Sequence, residues 1–554
     1  MTRDSFAFPP RLRLPLAILC ALPLAAPAQS FKSGGVFTVG SGTQLSGTTD
    51  VGGLDLRSGA TFAVTDASRA GFARLGGTLR FAKSSGPTEY VVDGPFVGEN
   101  GTVAFNTVLA DDDSATDQLI IGGSTTGTTH VTVANAGGPG AQTHLGIQLV
   151  QVRGASDGVF TLDGRVVAGA YEYKLYKGGA NTPDDGDWYL RSQATNQATP
   201  RPALPAAPTT PVEPVTQVAA SQAGGVAAPA VAPALLAPVY RPEGGAYAAN
   251  QAAAIGLFQH QMHDRAGEPD FAEVDGDEHA PAVWTRVQRR QIDGQAGQGQ
   301  LDLSSDASLL QVGGELASVS VGGQRLHFGA MAGAGRADSH IGSRESGYRA
   351  KGKVDAYSVG LYGSWFDSAD RQAGPYADAW LQYGSYDNKV RGERLAEEKY
   401  DADSWQVSLE GGWTFALPAG EKLALFVEPQ AQLIYSDYSA DDHVEANGTS
   451  VASSQSGQLT SRLGVRVFGH AGENSFHLVQ PFLLLNWWHN DKDNTVHLGA
   501  DKVTLALPRD RYEAKLGVQA QLGAGWTGWA NAVYAAGGDD YRDVGGQLGL
   551  SYRW

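Results

Sequence analysis

Apolar and polar side chains alternate along the C-terminal half of the chain in runs of about ten residues. In one run Trp405, Val407 and Leu409 fall on one face, whereas Gln406 and Glu410 fall on the other. Twelve such runs begin near Trp284, Ala307, Gln324, Val354, Gly374, Ala402, Lys422, Gln458, Asn474, Arg511, Gly525 and Tyr541. Strands of this length with one apolar face are typical of transmembrane β-barrels. The pattern therefore predicts a 12-stranded antiparallel barrel over residues 281–554.

The segments between these runs differ in length in a regular way. Those after odd-numbered runs are mostly long and polar, as at Asp338–Gly352, Tyr438–Gly457 and Asn490–Pro508. Those after even-numbered runs are short, as at Leu417–Glu421 and His470–Glu473. Outer-membrane barrels have long extracellular loops and short periplasmic turns. The even count therefore places both ends of the barrel on the periplasmic side.

The segment ahead of the first run predicts an α-helix. Gly244–Gly267 is rich in Ala, contains no Pro and has Arg265 near its end. Because an α-helix rises 1.5 Å per residue, about 20 residues match the roughly 30 Å core of a bilayer. We expect a pore-spanning helix over residues 241–267 that runs back through the barrel.

The N-terminal half has a different pattern. Within residues 29–194, short alternating stretches such as Gly101–Phe105 and His130–Val133 are broken by Gly or Asn every few residues. They predict a β-solenoid, although a β-sandwich gives the same local pattern and periodicity alone leaves the choice open. Residues 195–240 are rich in Pro, Ala and Thr and predict an extended linker.

Residues 1–28 have the features of a secretory signal peptide. An apolar core, Leu14–Leu24, follows basic residues, and Ala26 and Ala28 form an A-x-A cleavage site. Cleavage there would remove Cys20, the only cysteine. The formal net charge of -17 argues against nucleic acid as a partner, because phosphate backbones are bound by basic surfaces.

Several stretches resemble the autotransporter family of type V secretion, in its pertactin-like and adhesin-type branch. They are Tyr240–Glu243, Ala248–Ala253 and His263–Arg265 in the helix, Tyr357–Gly363, Val427–Leu433 and Arg462–Arg466 in the barrel, and Asn135–Gly138, Gly158–Leu162, Tyr171–Tyr176 and Asp187–Leu190 before the linker. The resemblance implies a right-handed parallel β-helix as the exported passenger, with C-terminal rungs that help it fold. Only about 70 mature residues precede Gly101, and no Arg-Gly-Asp motif is present.

The resemblance also implies partners and site residues. It implies an outer-membrane barrel, acting as a monomer in lipid, that is assembled with barrel-assembly machinery and periplasmic chaperones. The last strand carries Leu548, Leu550, Tyr552 and Trp554 in alternation, which resembles the family's membrane-assembly signal. In some relatives a helix Asn cyclises and releases the passenger, and Asn250 is the candidate here.

A set of charges is expected to face the lumen. It comprises Asp378, Glu410, Glu428, Arg462, Arg466, Glu513 and Lys515. One interpretation is that the acidic members assist cleavage at Asn250. The other is that these charges keep the lumen wet and clasp the helix.

Three motifs suggest other chemistry but fit it poorly. Gly154–Gly158 matches a G-x-S-x-G elbow, but its flanks do not look like the required strand and helix. His260 and His263, with Asp264, have a spacing that could bind metal, but they lie in the predicted pore helix. The run Asp111–Asp113, with a further acid at position 117, lacks a regular calcium loop. We therefore expect no catalytic residues, cofactor or metal.

The sequence thus predicts self-export through the barrel and surface display of a short β-helix, with adhesion or biofilm contact as its use and a host-cell or matrix surface as the candidate target. Two other functions stay open. A secreted surface hydrolase would need a catalytic constellation in residues 29–194. A plain outer-membrane channel would need an open lumen.

Overall fold

The computed structural model describes residues 29–83, 85–194, 237–266, 282–367, 373–418, 423–453, 457–471, 479–523 and 525–553. The predicted signal peptide, including Ala26 and Ala28, lies outside these residues. The same holds for most of the predicted linker and for Trp554.

The N-terminal unit consists of short strands. They are β1 (Gln29–Val39), β2 (Gln44–Leu56), β3 (Thr61–Val64), β4 (Ser68–Ala70), β5 (Ala73–Leu75), β6 (Thr78–Phe81), β7 (Glu89–Val92), β8 (Phe96–Thr107), β9 (Gln118–Ile121), β10 (Thr125–Asn135), β11 (Ile147–Val152), β12 (Val159–Leu162), β13 (Val166–Ala168), β14 (Tyr171–Lys177) and β15 (Trp188–Arg191).

Parallel pairing identifies this unit as a β-solenoid. The long strand β2 pairs in parallel with β3, β4 and β5 at successive points along its length, so one turn of chain contributes to three faces. The next turns continue each face through β6, β7 and β8. A β-sandwich would pair its strands in antiparallel fashion. The sequence left these two folds open, and the structure selects the parallel β-helix.

The interior of the β-helix is a stack of apolar side chains. Phe81 lies over Phe105 with ring centroids 5.3 Å apart, and Phe96 lies over Phe160 at 6.0 Å. Glycine permits the close approach of neighbouring turns: Gly127 has φ +77°, and an added Cβ there would lie 2.0 Å from the Gly98 carbonyl oxygen. Because no single turn can bury its apolar face alone, each turn is stabilised by its neighbours.

The end of the β-helix nearest the barrel is closed by antiparallel strands. Strand β15 pairs with β11 and β14, and β14 pairs with β13. The chain then re-enters the described structure as a short strap, residues 237–241. Pro238 forms an antiparallel bridge with Gln193, and the Ala194 N–H donates to the Ala237 carbonyl at 2.8 Å. The two ends of segment 195–236 therefore lie side by side.

The C-terminal unit is a closed antiparallel barrel of twelve long strands, as predicted. They are β16 (Ala282–Ala296), β17 (Leu301–Val321), β18 (Gln324–Ser343), β19 (Arg349–Phe366), β20 (Gly374–Gly392), β21 (Glu397–Leu417), β22 (Leu423–Ala440), β25 (Gln458–Ala471), β26 (Val479–Asn490), β29 (Asp510–Gly523), β30 (Trp526–Gly537) and β31 (Arg542–Arg553). The last strand pairs with the first, so the sheet has no free edge among these twelve.

The outer face of the barrel is apolar. Along β21, Trp405, Val407, Leu409, Trp413 and Phe415 are all exposed, and the residues between them face inward. Trp405 and Trp413 bracket a stretch of about 26 Å along the strand, at roughly 3.3 Å per residue. A contiguous exposed band of this kind is stable only against lipid.

Two of the loops expected to be long and polar are folded. Within Tyr438–Gly457 lie β23 (His443–Val444) and β24 (Ser450–Ser453). Within Asn490–Pro508, strands β27 (Asn494–Leu498) and β28 (Asp501–Ala506) form a hairpin, which we call the mouth hairpin. The third predicted long loop is short, because β18 continues to Ser343 and β19 begins at Arg349. The first two connections are therefore long, and they fold into strands because their apolar residues are buried in one cluster with those of the N-terminal unit. The prediction of a long loop at Asp338–Gly352 was wrong.

The predicted pore helix exists but is not continuous. Helix α1 covers Pro242–Gly256, about 22 Å at 1.5 Å per residue. A turn follows, and the short helix α2 covers Met262–Ala266. Asp264 accepts a hydrogen bond from the Gln261 N–H at 3.1 Å, which starts α2 afresh. In the described part of the chain no helix is long and apolar enough to cross a membrane.

Candidate functional site

The predicted lumen charges are all buried inside the barrel, and five of them contact α2. The contacts are Glu410 with the Met262 N–H at 3.1 Å, Glu428 with the His263 Nε2 at 2.8 Å, Arg466 with the His263 Nδ1 at 3.5 Å, Lys515 with Asp264 at 3.2 Å, and Asp378 with Arg265. The other two, Arg462 and Glu513, contact residues of the barrel wall instead of α2. Arg462 pairs with Glu410 at 3.0 Å, and Glu513 accepts from Asn486 at 2.8 Å.

The signs of these charges fix the position of α2. Asp264 meets a lysine and Arg265 meets an aspartate, so each charge of the helix faces its opposite on the wall. Buried ion pairs contribute little net stability, but breaking one is costly because a charge is left buried without its partner. A slipped helix would bring like charges together. The arrangement therefore specifies one position for the helix.

A second set of lumen residues was not singled out in the sequence. Four glutamines of the barrel wall donate to backbone carbonyls of the pore segment: Gln406 to Ile255 at 2.8 Å, Gln382 to Phe258 at 3.3 Å, Gln432 to His260 at 2.9 Å and Gln547 to Asp264 at 2.9 Å. Ile255 lies in the last turn of α1, Phe258 and His260 lie in the turn between the helices, and Asp264 lies in α2, so these amides satisfy carbonyls that helix bonding leaves free. Their inward positions in the strand alternation were a signal that could have identified them.

The extracellular mouth joins the two units through buried ion pairs. Arg165 of the N-terminal unit lies between Glu172 and Glu243, and its Nη1 is 2.7 Å from the Glu243 Oε1. Arg241 pairs with Glu445 of a barrel loop at 2.7 Å. All five side chains are at most 3 % exposed. We call this group the mouth joint.

The pKa values in this joint reflect burial and pairing together. Burial raises the pKa of Glu172 even though Arg165 beside it favours the charged form. Burial also opposes the charge on Arg165, but its hydrogen bonds to Glu172 and Glu243 outweigh that effect and raise its pKa. The guanidinium is therefore held in place as a cation between two carboxyl groups.

Backbone and apolar contacts extend the joint. The Gly169 N–H donates to the Thr449 Oγ1 at 3.0 Å, and the Arg241 Nε donates to the Gly169 carbonyl at 2.7 Å. One cluster of buried apolar side chains runs without interruption from the β-helix through Tyr240 and Tyr247 to Leu505 of the mouth hairpin. The β-helix and the barrel mouth are thus parts of one packed core.

Asn250, the candidate for passenger cleavage, lies in the middle of α1. It is fully buried, and its amide donates to the Lys389 carbonyl at 3.1 Å and the Tyr400 hydroxyl at 3.3 Å. The acidic lumen residues Asp378, Glu410 and Glu428 contact α2 instead. The structure does not bring them to Asn250, and cleavage there stays a prediction.

The other candidate sites have structural roles in the described residues. His260 stacks on Trp380 at 4.8 Å while His263 points to Glu428, so the two rings have separate partners. Ser156 donates to the Gly186 carbonyl at 2.8 Å. Asp112 accepts three backbone N–H groups, and Asp117 accepts those of Thr88 and Asn106.

The final strand pairs on both sides. Leu548 is 60 % exposed on its outer face, and Tyr552 packs against Trp526 with ring centroids 4.6 Å apart. Leu550 lies on the same face between them. The role of this strand as an assembly signal stays a prediction.

Fold and site together define an outer-membrane β-barrel whose lumen holds a segment of its own chain that leads to an external β-helix. A family model described as Autotransporter beta-domain matches residues 283–533, and one described as Autochaperone Domain Type 1 matches residues 70–175. The chain belongs to the autotransporter family.

Relatives and a solved structure agree with this assignment. The chain is 34% identical over 482 residues to uncharacterized protein YdeU of Escherichia coli, covering 84% of this chain and 97% of the relative. It is 28% identical to autotransporter adhesin AIDA-I of Escherichia coli, covering 82% of this chain and 33% of the relative. The crystal structure of the AIDA-I transport unit matches 57% of this chain and 100% of its own at 25% identity, with a TM-score of 0.52.

The barrel is accordingly placed in outer-membrane lipid, with the β-helix displayed as a passenger at the cell surface. The chain spans nearly all the length of YdeU and about a third of the length of AIDA-I.

Proposed function

We propose that this chain is a surface adhesin whose short passenger is exported through its own barrel and acts by direct contact, without catalysis. The observation that carries the proposal is a polar ladder along one face of the β-helix. Thr61, Thr78, Thr102, His130 and Thr161 stand in register on successive turns. Neighbouring strands are about 4.8 Å apart, so the ladder presents hydrogen-bonding groups over roughly 19 Å.

A ladder of this kind suits a repetitive polar surface, such as a carbohydrate coat or matrix on a host cell or within a biofilm. The adhesin-type relative AIDA-I supports contact over hydrolysis. Engagement of the one G-x-S-x-G serine by a backbone carbonyl also supports a non-enzymatic role. An open channel is disfavoured, because α1 and α2 occupy the lumen.

Assembly follows from the family. We propose that the barrel inserts as a monomer with the barrel-assembly machinery, using Leu548, Leu550, Tyr552 and Trp554 as its signal, and that periplasmic chaperones keep the passenger unfolded before export. The passenger stays uncut in this proposal, because Asn250 is held by hydrogen bonds away from the lumen acids.

Attachment of whole cells tests the adhesive role. Non-adherent cells would express either the full chain or a matched variant in which Thr61, Thr78, Thr102, His130 and Thr161 are all replaced by Ala, which removes the ladder and leaves the barrel and the mouth joint. We expect the full chain alone to increase aggregation and binding to matrix-coated surfaces. Equal attachment by both, at equal surface density of barrels, would contradict the proposal.

A further inference from the structure

The pore helix fills only part of the lumen. Helix α1 packs against β17–β20, β22 and the mouth hairpin, whereas β26 and β29–β31 stand further away. On the side facing that gap the helix carries small residues. Although they lie inside the barrel, Ala252 and Ala253 are only half-buried and Gly256 is exposed.

The gap is a cavity of about 130 Å³. Its lining mixes apolar side chains, such as Ile292 and Leu309, with a polar group on the barrel wall that comprises Gln288, Arg290, Arg511, Glu513, Tyr541 and Asp543. Since one water needs roughly 10–15 Å³ and several polar partners, the space has room for a group of waters beside these polar side chains. We call this cavity the vestibule.

The extracellular end of the vestibule is apolar. There it is lined by Leu303 of the wall and by Leu505 and Leu507 at the end of the mouth hairpin. Leu303 and Leu505 are at most 5 % exposed. The hairpin is tied to the wall, where Leu505 pairs with Ala296 of β16.

The hairpin also fits closely against the first turn of α1. A Cβ added at Gly244 would lie 2.7 Å from Val503 and 2.9 Å from Leu498, both in the hairpin. Because glycine has no Cβ, it allows this close contact in the first turn. The mouth hairpin therefore fills the space between α1 and the barrel wall at the extracellular end of the vestibule, which α1 alone does not fill.

We propose that the mouth hairpin is the extracellular seal of a hydrated vestibule, and that the barrel is closed to outside solutes by this apolar contact and not by the helix alone. Apolar constrictions exclude water and hydrated ions by dewetting. Making the constriction polar should open the vestibule while the helix stays in place.

Thiol labelling of the full chain in vesicles tests the seal. Ala535 lines the vestibule and is 2 % exposed, so Ala535→Cys in a Cys20→Ser background reports access. Proteoliposomes with the passenger outside receive a small, membrane-impermeant methanethiosulfonate from outside. We expect no labelling with the native hairpin and labelling after L505S/L507S. Adding Ala253→Leu, which fills the vestibule, should reduce it again.

Controls separate a lost seal from a lost fold. Ala396→Cys, exposed at the mouth, should react in every background. Preparations must keep the heat-dependent gel shift of a folded barrel, and if the double variant loses it, Leu507→Ser alone is used, because Leu507 lies beyond β28. Equal labelling of Ala535→Cys with and without the hairpin change, whether both react or neither does, would overturn the proposal.

Discussion

Cutting the linker should not release the passenger. The residues on either side of segment 195–236 are paired with each other, because Gln193 bridges to Pro238. After a cut within the segment, the strap at residues 237–241 would therefore stay paired with the passenger. The passenger would then be held by the mouth joint and the shared apolar core. A specific protease site inserted within 195–236 allows the cut on intact cells.

The contribution of the mouth joint to retention of the cut passenger can be estimated by removing the Arg165 side chain. Arg165→Ala would leave Glu172 buried without its cation and would leave Glu243 with only Arg241, at 4.0 Å. Removing one partner of a buried pair costs about 3–5 kcal/mol, and each 1.4 kcal/mol is tenfold in an equilibrium constant. Retention of the cut passenger should therefore weaken by about two to three and a half orders of magnitude. Arg153→Ala, at an exposed arginine on the same unit, is the matched control.

The assay is the fraction of passenger that sediments with cells at successive times after the cut. We expect retention for the native chain and for Arg153→Ala, and rapid loss for Arg165→Ala. Release of the native passenger at the rate of the Arg165 variant would refute the reasoning, because the joint would then contribute nothing to holding the two units together.

Three further predictions concern the two units separately. Phe105→Ala removes a ring that is 1 % exposed and stacked on Phe81, so the passenger should lose about 3–5 kcal/mol in denaturant unfolding, whereas Thr102→Ala on the surface should change it by less than about 0.5 kcal/mol. Leu409→Arg, midway between Trp405 and Trp413 on the lipid face, should destabilise the barrel by about 2–4 kcal/mol in reversible unfolding. An equal effect from Val321→Arg, at the exposed last residue of β17, would contradict the depth dependence. Burial opposes the charge on Asp185, but hydrogen bonds from Thr182, Tyr189 and two backbone N–H groups prevail and lower its pKa. Its stabilising effect is therefore present above the unfolded pKa and is lost as the pH falls through the folded one. Asp185→Asn should therefore flatten the acid side of a plot of melting temperature against pH. Burial raises the pKa of Asp187, so Asp187→Asn should make the loss of stability in acid steeper.

The barrel could be predicted because lipid imposes a period of two on every strand. The predicted starts at Gln324, Gly374 and Gln458 coincide with strand starts in the structure, and Lys422 is one residue from Leu423. This alternation determines, from the local sequence alone, whether a side chain points into the lumen or toward lipid. For the same reason all seven predicted lumen charges are buried in the lumen.

The features that were missed depend on distant partners. Val496, Leu498 and Val503 look like scattered apolar residues in a polar loop, and only the passenger and α1 above and beside them make a hairpin favourable. The carbonyls at the end of α1 and in the turn after it are bonded by Gln406 and Gln382, which lie more than a hundred residues away in sequence. The pairing of Arg165 with Glu243 likewise joins positions that no local pattern links.

The uninterrupted apolar core at the mouth has a mechanical consequence. If the passenger were attached by a flexible linker, a force on its tip would only rotate it about the attachment point. A passenger packed into the mouth instead behaves as a short stiff post. Shear on a bacterium held by the far end of the β-helix would therefore be transmitted as torque to the barrel and the surrounding bilayer.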